Sequence, residues 1–129
     1  MTSPPVLIDS DVAIDFLKGE EYSLPVLSQL LRARRAWISV LSIYEVYAGM
    51  RPGEEKATEA FVRCCRILFV DQEIARRAAG RYQRFRRRGI TLTTVDCLLG
   101  ATALHLRMRI LSRNTKHYPE PGLLVNLAP

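Results

Sequence analysis

The sequence predicts an α/β fold, a three-layer α/β/α sandwich around a mostly parallel sheet of four to five strands. Two features carry this expectation. Short apolar runs rich in β-branched and aromatic residues, at 6–8, 37–40, 67–70, 109–111 and 123–127, read as strands. Between them stand segments with apolar residues three and four positions apart, bounded by helix start and stop signals. Strands separated by helices need crossover connections, so neighbouring strands run parallel and both faces of the sheet are covered.

The elements follow in order. After the run at 6–8, Val12, Ile14, Phe16 and Leu17 form a helical pattern that closes at Gly19, and Pro25 opens a second helix through Leu24, Leu27, Leu30 and Leu31. Ser42 begins a third helix that ends at Gly49, with Glu45 in its first turn, and residues 54–65 supply a fourth. Asp71, Gln72 and Glu73 cap a long arginine-rich helix that stops at Gly89. Thr93 to Asp96 opens another, continued by Leu98, Leu99, Ala101 and Leu104, and the turn at Pro119 and Pro121 leads into the fifth strand.

At 129 residues the chain fits a single domain, 1–129, with enough apolar sequence to bury its own core. The hydrophobic fraction of 48% and charged fraction of 25% are those of a globular protein. No run is long and apolar enough to span a bilayer, and residues 1–8 do not form a secretory leader, so no membrane partner and a cytoplasmic location are expected. Three cysteines without C-x-x-C spacing argue against a disulfide framework and a structural zinc site. The two histidines, His105 and His117, match no metal-ligand pattern and are expected as surface or helix residues. A net charge of +6 favours a polyanionic partner, although sixteen of the nineteen basic residues are arginine and composition alone could produce such a skew.

Ligands of open parallel sheets bind outside the carboxyl ends of the strands. Asp9 ends the first strand, Glu45 follows the second, Asp96 opens a helix, and Ser112 and Asn114 follow the fourth. All fall at one edge. Three carboxylates gathered without a matching base would repel one another, and a hard cation such as Mg²⁺ or Mn²⁺ is the natural neutraliser. Phosphodiester hydrolysis is the chemistry that fits. Taken singly, each acid has a simpler reading: Ser42-x-x-Glu45 and Thr93-x-x-Asp96 both match a capping box, and Asp9 could be a turn former.

These residues resemble the PIN-domain ribonucleases, and most closely the VapC-type toxins of bacterial toxin–antitoxin pairs. VLIDSDVAIDFL carries Asp9 and Ser10, ISVLSIYEVYAGM carries Glu45, TTVDCLLGATAL carries Asp96, and LSRNTKHYPEPGLLV carries Ser112, Asn114 and Tyr118. The resemblance implies a helix-covered parallel sheet, Mg²⁺ or Mn²⁺ held by Asp9, Glu45 and Asp96, endonucleolytic cleavage of RNA, a homodimer and a cognate antitoxin. Within it Asp9 and Asp96 are metal ligands, Glu45 is a ligand or orients the attacking water, and Asn114, Ser10 and Ser112 give polar support. Asn114 stands where PIN domains often carry Asp, which removes one negative charge and argues for a single tightly held ion, with Asp11 as a spare acid.

Arg77, Arg81, Arg84 and Arg88 recur along one helical stripe and are candidate contacts to RNA or antitoxin, opposite an apolar stripe of Ile74, Ala78, Tyr82 and Phe85. The plainer alternative is a solvated outer face. Two rival functions stand beside the nuclease. The segment from Leu7 to Val12 also resembles the D-x-D loop of haloacid-dehalogenase-like phosphatases, with Asp9 as nucleophile, although no downstream acidic pair follows. The other rival is a catalytically silent module that uses the fold only to bind a protein.

Overall fold

In a computed structural model, which describes residues 4–127, four short strands form one parallel sheet. The strands are β1 (Val6–Ile8), β2 (Ala36–Ser39), β3 (Arg66–Leu68) and β4 (Arg109–Leu111), in the order β3-β2-β1-β4. Val6 pairs with Ala36 on one side and with Arg109 on the other, so β1 is central. Six helices connect them: α1 (Ser10–Leu17), α2 (Ser23–Arg32), α3 (Val40–Ala48), α4 (Glu55–Cys64), α5 (Gln72–Arg87) and α6 (Thr94–Leu106). The ends of the expected unit, residues 1–3 and 128–129, lie outside the described residues.

Strand alternation divides the interior into two layers. Val6, Ile8, Ala36, Ile38 and Leu111 face α1 to α4, where Val12, Leu27, Leu30, Val46 and Phe61 close the core. Leu7 and Ile110 point the other way, onto Leu99, Ala103, Met108 and Tyr118. A third cluster, built from Ile74, Ala78, Phe85, Leu92, Cys97 and Ala101, joins α5 to α6. Leu7, Ile8 and Ile110 are fully buried, each contributing about 1.5–3 kcal/mol. The cysteines Cys64, Cys65 and Cys97 are free. Among the described residues no helix is long and apolar enough to cross a membrane.

Two boundaries differ from the sequence expectation. The third helix starts at Val40, because Ser39, in extended backbone, caps it by accepting from Leu41 N. Ser42 is therefore inside the helix, buried and without a hydrogen-bond partner among the described residues, and Glu45 lies in the second turn rather than the first. The fifth strand reduces to one parallel bridge, Ile110 to Leu124, made by Ile110 N to Leu123 O at 2.8 Å and Val125 N to Ile110 O at 2.9 Å. Its side chains still divide between the layers, Leu123 and Leu124 in one and Val125 and Leu127 in the other, but without the strict alternation of a strand.

This order fixes where a ligand can sit. The chain steps outward from β1 to β2 to β3 and then returns to the opposite side of β1 as β4, so connections leave the carboxyl ends of β1 and β4 in opposite directions and open a crevice between them. Asp9 follows β1 and Ser112 follows β4.

Candidate active site

Asp9 sits at the mouth of that crevice because it is also the cap of α1. Its backbone is extended and its Oδ1 accepts from Ser10 N at 2.8 Å, which leaves Oδ2 turned inward. Oδ2 accepts from Ser112 Oγ at 2.7 Å and from Tyr118 Oη at 3.3 Å. The side chain thus caps a helix with one oxygen and enters the site with the other. Burial, followed by the charge of Asp11 and with a smaller part from Asp96, raises the Asp9 carboxyl to about 6.

Asp96 lies in the first turn of α6. Thr93 caps that helix, its hydroxyl accepting from Asp96 N at 3.1 Å. The Asp96 carboxylate faces the site instead: Oδ1 accepts from Tyr118 Oη at 3.0 Å, and Oδ2 lies against His117 Nδ1. Glu45 likewise turns away from its own helix end and accepts from Ser10 Oγ at 2.9 Å through Oε1. Ser39 and Thr93 therefore do the capping, and two acids that matched capping boxes point their carboxylates elsewhere.

Hydroxyls tie the acids together. The single Tyr118 hydroxyl proton lies within reach of both Asp9 and Asp96, Ser112 joins Asp9 to the Asp11 region, and Ser10 reaches Glu45. Burial and the charges of Asp9 and Asp96 push the Tyr118 phenol far above its ordinary value, so it stays a donor. Asn114 N donates to Ser112 Oγ at 3.0 Å, and Asn114 Nδ2 lies 2.8 Å from His117 Nδ1. Nδ1 has one proton or one lone pair, so His117 serves Asn114 or Asp96, one at a time. Asp11 accepts from Arg113 N at 3.0 Å, and burial is the main reason its carboxyl is raised.

Among the described residues neither Asp9, Glu45 nor Asp96 forms an ion pair with arginine or lysine, while Arg113 pairs with Asp15 at 2.8 Å. No three His, Cys, Asp or Glu side chains among them form a complete ion cage. The donor set is hard oxygen, joined through hydroxyls rather than packed edge to edge. That suits an ion of the Mg²⁺ type, which takes one or two carboxylates and keeps several waters.

Sequence reasoning missed two residues. His117, expected at the surface, is half-buried against Asp96 and Asn114. Arg81, assigned by its spacing to the candidate RNA or antitoxin stripe, is fully buried and paired with Glu120 at 2.7 Å, so it can touch neither partner. The rest of the stripe, Arg77, Arg84 and Arg88, is exposed, with Arg77 paired to Glu73.

Comparison with known proteins fits this edge-of-sheet arrangement. The family model described as PIN domain matches residues 6–119. This chain is a PIN domain. It is similar to Ribonuclease VapC19 of Mycobacterium tuberculosis, 32% identical over 114 residues that cover 88% of this chain and 91% of the relative. Ribonuclease VapC10 of the same organism is 31% identical over 88% of this chain and 86% of its own. Among solved structures, a toxin–antitoxin complex from Klebsiella pneumoniae superposes with a TM-score of 0.78 at 25% identity, covering 95% and 98% of the two chains. DNA-bound VapBC from Salmonella typhimurium, at 17% identity, shares the fold with a TM-score of 0.80 over 96% and 98%. Membership of the PIN-domain family replaces the phosphatase reading of Asp9 and Asp11.

Proposed function

We propose that this PIN domain is a divalent-metal-dependent endoribonuclease, acting in the cytoplasm as the toxin of a toxin–antitoxin pair. The observation that carries the reading is the joining of Asp9, Asp96 and Tyr118. Two acids far apart in sequence share one buried phenol donor, outside the carboxyl ends of a parallel sheet. Similarity to VapC ribonucleases and to a toxin–antitoxin complex supports the substrate and the partner.

In this reading Asp9 and Asp96 would hold Mg²⁺ or Mn²⁺, with Glu45 as a further ligand or as the group that orients its water. The ion, when bound, offsets charge on the phosphodiester and makes water a stronger nucleophile. The chain's own groups set the geometry. Ser112 and Tyr118 fix the inward oxygen of Asp9, Tyr118 also fixes Asp96, and Ser10 holds Glu45 by its Oε1. His117 and Asn114 close the Asp96 side, where a nitrogen donor and an amide replace a further acid. With this charge count one ion is held tightly, and a second enters only with substrate phosphate. Arg77, Arg84 and Arg88 remain available to RNA or an antitoxin, and the active form is a homodimer.

Purified protein tests the chemistry directly. A mixed-sequence RNA oligonucleotide should be cut internally with Mg²⁺ or Mn²⁺ and left intact with EDTA, and co-expressed antitoxin should suppress the cutting. Intact RNA under all metal conditions, with the antitoxin still bound, would replace the nuclease by the silent binding module.

A further inference from the structure

Arginine is almost never fully buried unless its guanidinium is paired. Arg81 has no solvent exposure, and it donates four hydrogen bonds to three residues. Nε and Nη2 reach the two carboxylate oxygens of Glu120 at 2.7 and 3.0 Å. Nη1 reaches the backbone carbonyl of Asp96 at 2.9 Å, and Nη2 that of His117 at 2.6 Å. The guanidinium also lies 5.6 Å from the centre of the Tyr118 ring. One cation on α5 therefore contacts Asp96, the two residues whose side chains meet Asp96, and Glu120 just beyond them in the chain.

We propose that Arg81 is a positioning residue for the metal site, setting the distance between the first turn of α6 and the 117–120 segment so that Asp96 and Tyr118 converge on Asp9. The proposal rests on the metal-dependent reading above. A guanidinium suits this task because it is planar and its donors diverge in a fixed fork, whereas an ammonium on a flexible stem cannot hold two separate carbonyls and a carboxylate in one geometry.

Gly100 supports the assignment independently. It stands in the middle of α6, where glycine is unfavourable relative to alanine. A Cβ built there would meet Arg81 Cζ at 2.4 Å, Nη1 at 2.6 Å and Nε at 2.7 Å. That end of the side chain is pinned and buried, so it cannot swing away. Helix α6 does without a side chain at this one position, and the guanidinium fills the gap.

The test measures Mn²⁺ affinity of the RNA-free protein, by electron paramagnetic resonance of free Mn²⁺, for the parent and for Arg81→Lys, Gly100→Ala and Glu120→Gln. All are held at a temperature where circular dichroism shows the variant folded. Arg81→Lys keeps the charge and Gly100→Ala keeps every polar group, yet each should weaken Mn²⁺ binding tenfold or more. Glu120→Gln, at a partly exposed position, should weaken it less and remains informative if either of the others fails to fold. Folded variants that bind Mn²⁺ as tightly as the parent, with only a lowered melting temperature, overturn the positioning role and leave Arg81 a stability element. A parent protein that takes up no Mn²⁺ overturns the metal reading first, and the role of Arg81 in it.

Discussion

The two sides of the site are built by different means. On the β1 side, Asp9 is placed by its neighbours in sequence: an apolar strand delivers it and the first turn of α1 takes one of its oxygens. On the α6 side, the Asp96 backbone is capped locally by Thr93, but the segment that meets its carboxylate is held, partly through its own Glu120, by Arg81 from a distant position in the chain. Local placement survives changes elsewhere in the fold. Placement by a buried ion pair concentrates the geometry in a few bonds, and removing one partner strands the other.

The largest test of this contrast removes the acids themselves. Asp9→Asn and Asp96→Asn should each lower RNA cleavage by more than about a hundredfold, since outer-shell partners of a metal alone are worth about 10–100-fold. Initial rates at saturating Mg²⁺ measure this, and parent-like rates would refute the assignment of both sides together.

Tyr118→Phe cuts the link between the sides while leaving each intact. Losing one buried donor should cost about 1–3 kcal/mol of stability, read by chemical denaturation. Cleavage should slow by about tenfold, equivalent to about 1.4 kcal/mol, with little change in KM for RNA. If activity is untouched, the two halves do not need their shared phenol.

Acid separates the halves more gently. Burial alone would raise the Glu120 carboxyl, but the Arg81 hydrogen bonds and charge outweigh it and hold the group below its usual range. A carboxylate with a depressed folded-state pKa stabilises above its unfolded value, about 4.3 for Glu, and that stabilisation is lost as pH falls through the lower folded value. The parent should therefore lose stability below about pH 4.3, and Glu120→Gln should lack that increment. The expected difference is about 1.5–3 kcal/mol at neutral pH, shrinking in acid. Equal pH profiles from denaturant titrations would show that the Arg81 pair does not bind the α6 side together.

The smallest effect lies outside both halves. Charge reversal of the exposed Arg84 and Arg88 should weaken RNA or antitoxin binding. For single-stranded RNA it should flatten the logarithmic salt slope by about 0.7 for each phosphate that is no longer neutralised. An unchanged slope would return the stripe to a solvated face.

Much of the fold was legible because strand and helix periods are local. Val6, Leu7 and Ile8 announce a strand buried on both faces, and the alternation of strands with helices leaves few topologies. The onset of α3 was misplaced because two serines, Ser39 and Ser42, both offer a cap, and which one has extended backbone depends on where β2 stops pairing. In the site, the acids Asp9, Glu45 and Asp96 were readable as residues at one sheet edge. Their partners were less so, since a hydroxyl bridging two acids from opposite ends of the chain leaves no periodic trace.

Arg81 was misread for a specific reason. At 3.6 residues per turn it shares a stripe with Arg77, Arg84 and Arg88, but it also lies about 20° from Ile74 and about 40° from Phe85. It stands where the polar and apolar stripes meet. The signal that could have separated it was on another helix: Gly100, whose missing side chain leaves room for a guanidinium. His117 carried no spacing signal, since its partners Asn114 and Asp96 reach it through a short 3₁₀ turn and a distant helix.

The central place of β1 has a temporal side. The first strand to be synthesised receives one of its two neighbours from the last, and Ser112 and Tyr118 arrive only with that last strand. Before β4 pairs, Glu45 can already reach the Asp9 end of α1 through Ser10, whereas the Tyr118 hydroxyl that links Asp96 to Asp9 has yet to be placed. Gathering the acids therefore waits on a parallel pairing between strands far apart in the sequence, Val6–Ile8 and Arg109–Leu111, and such non-local contacts are the slow ones to form.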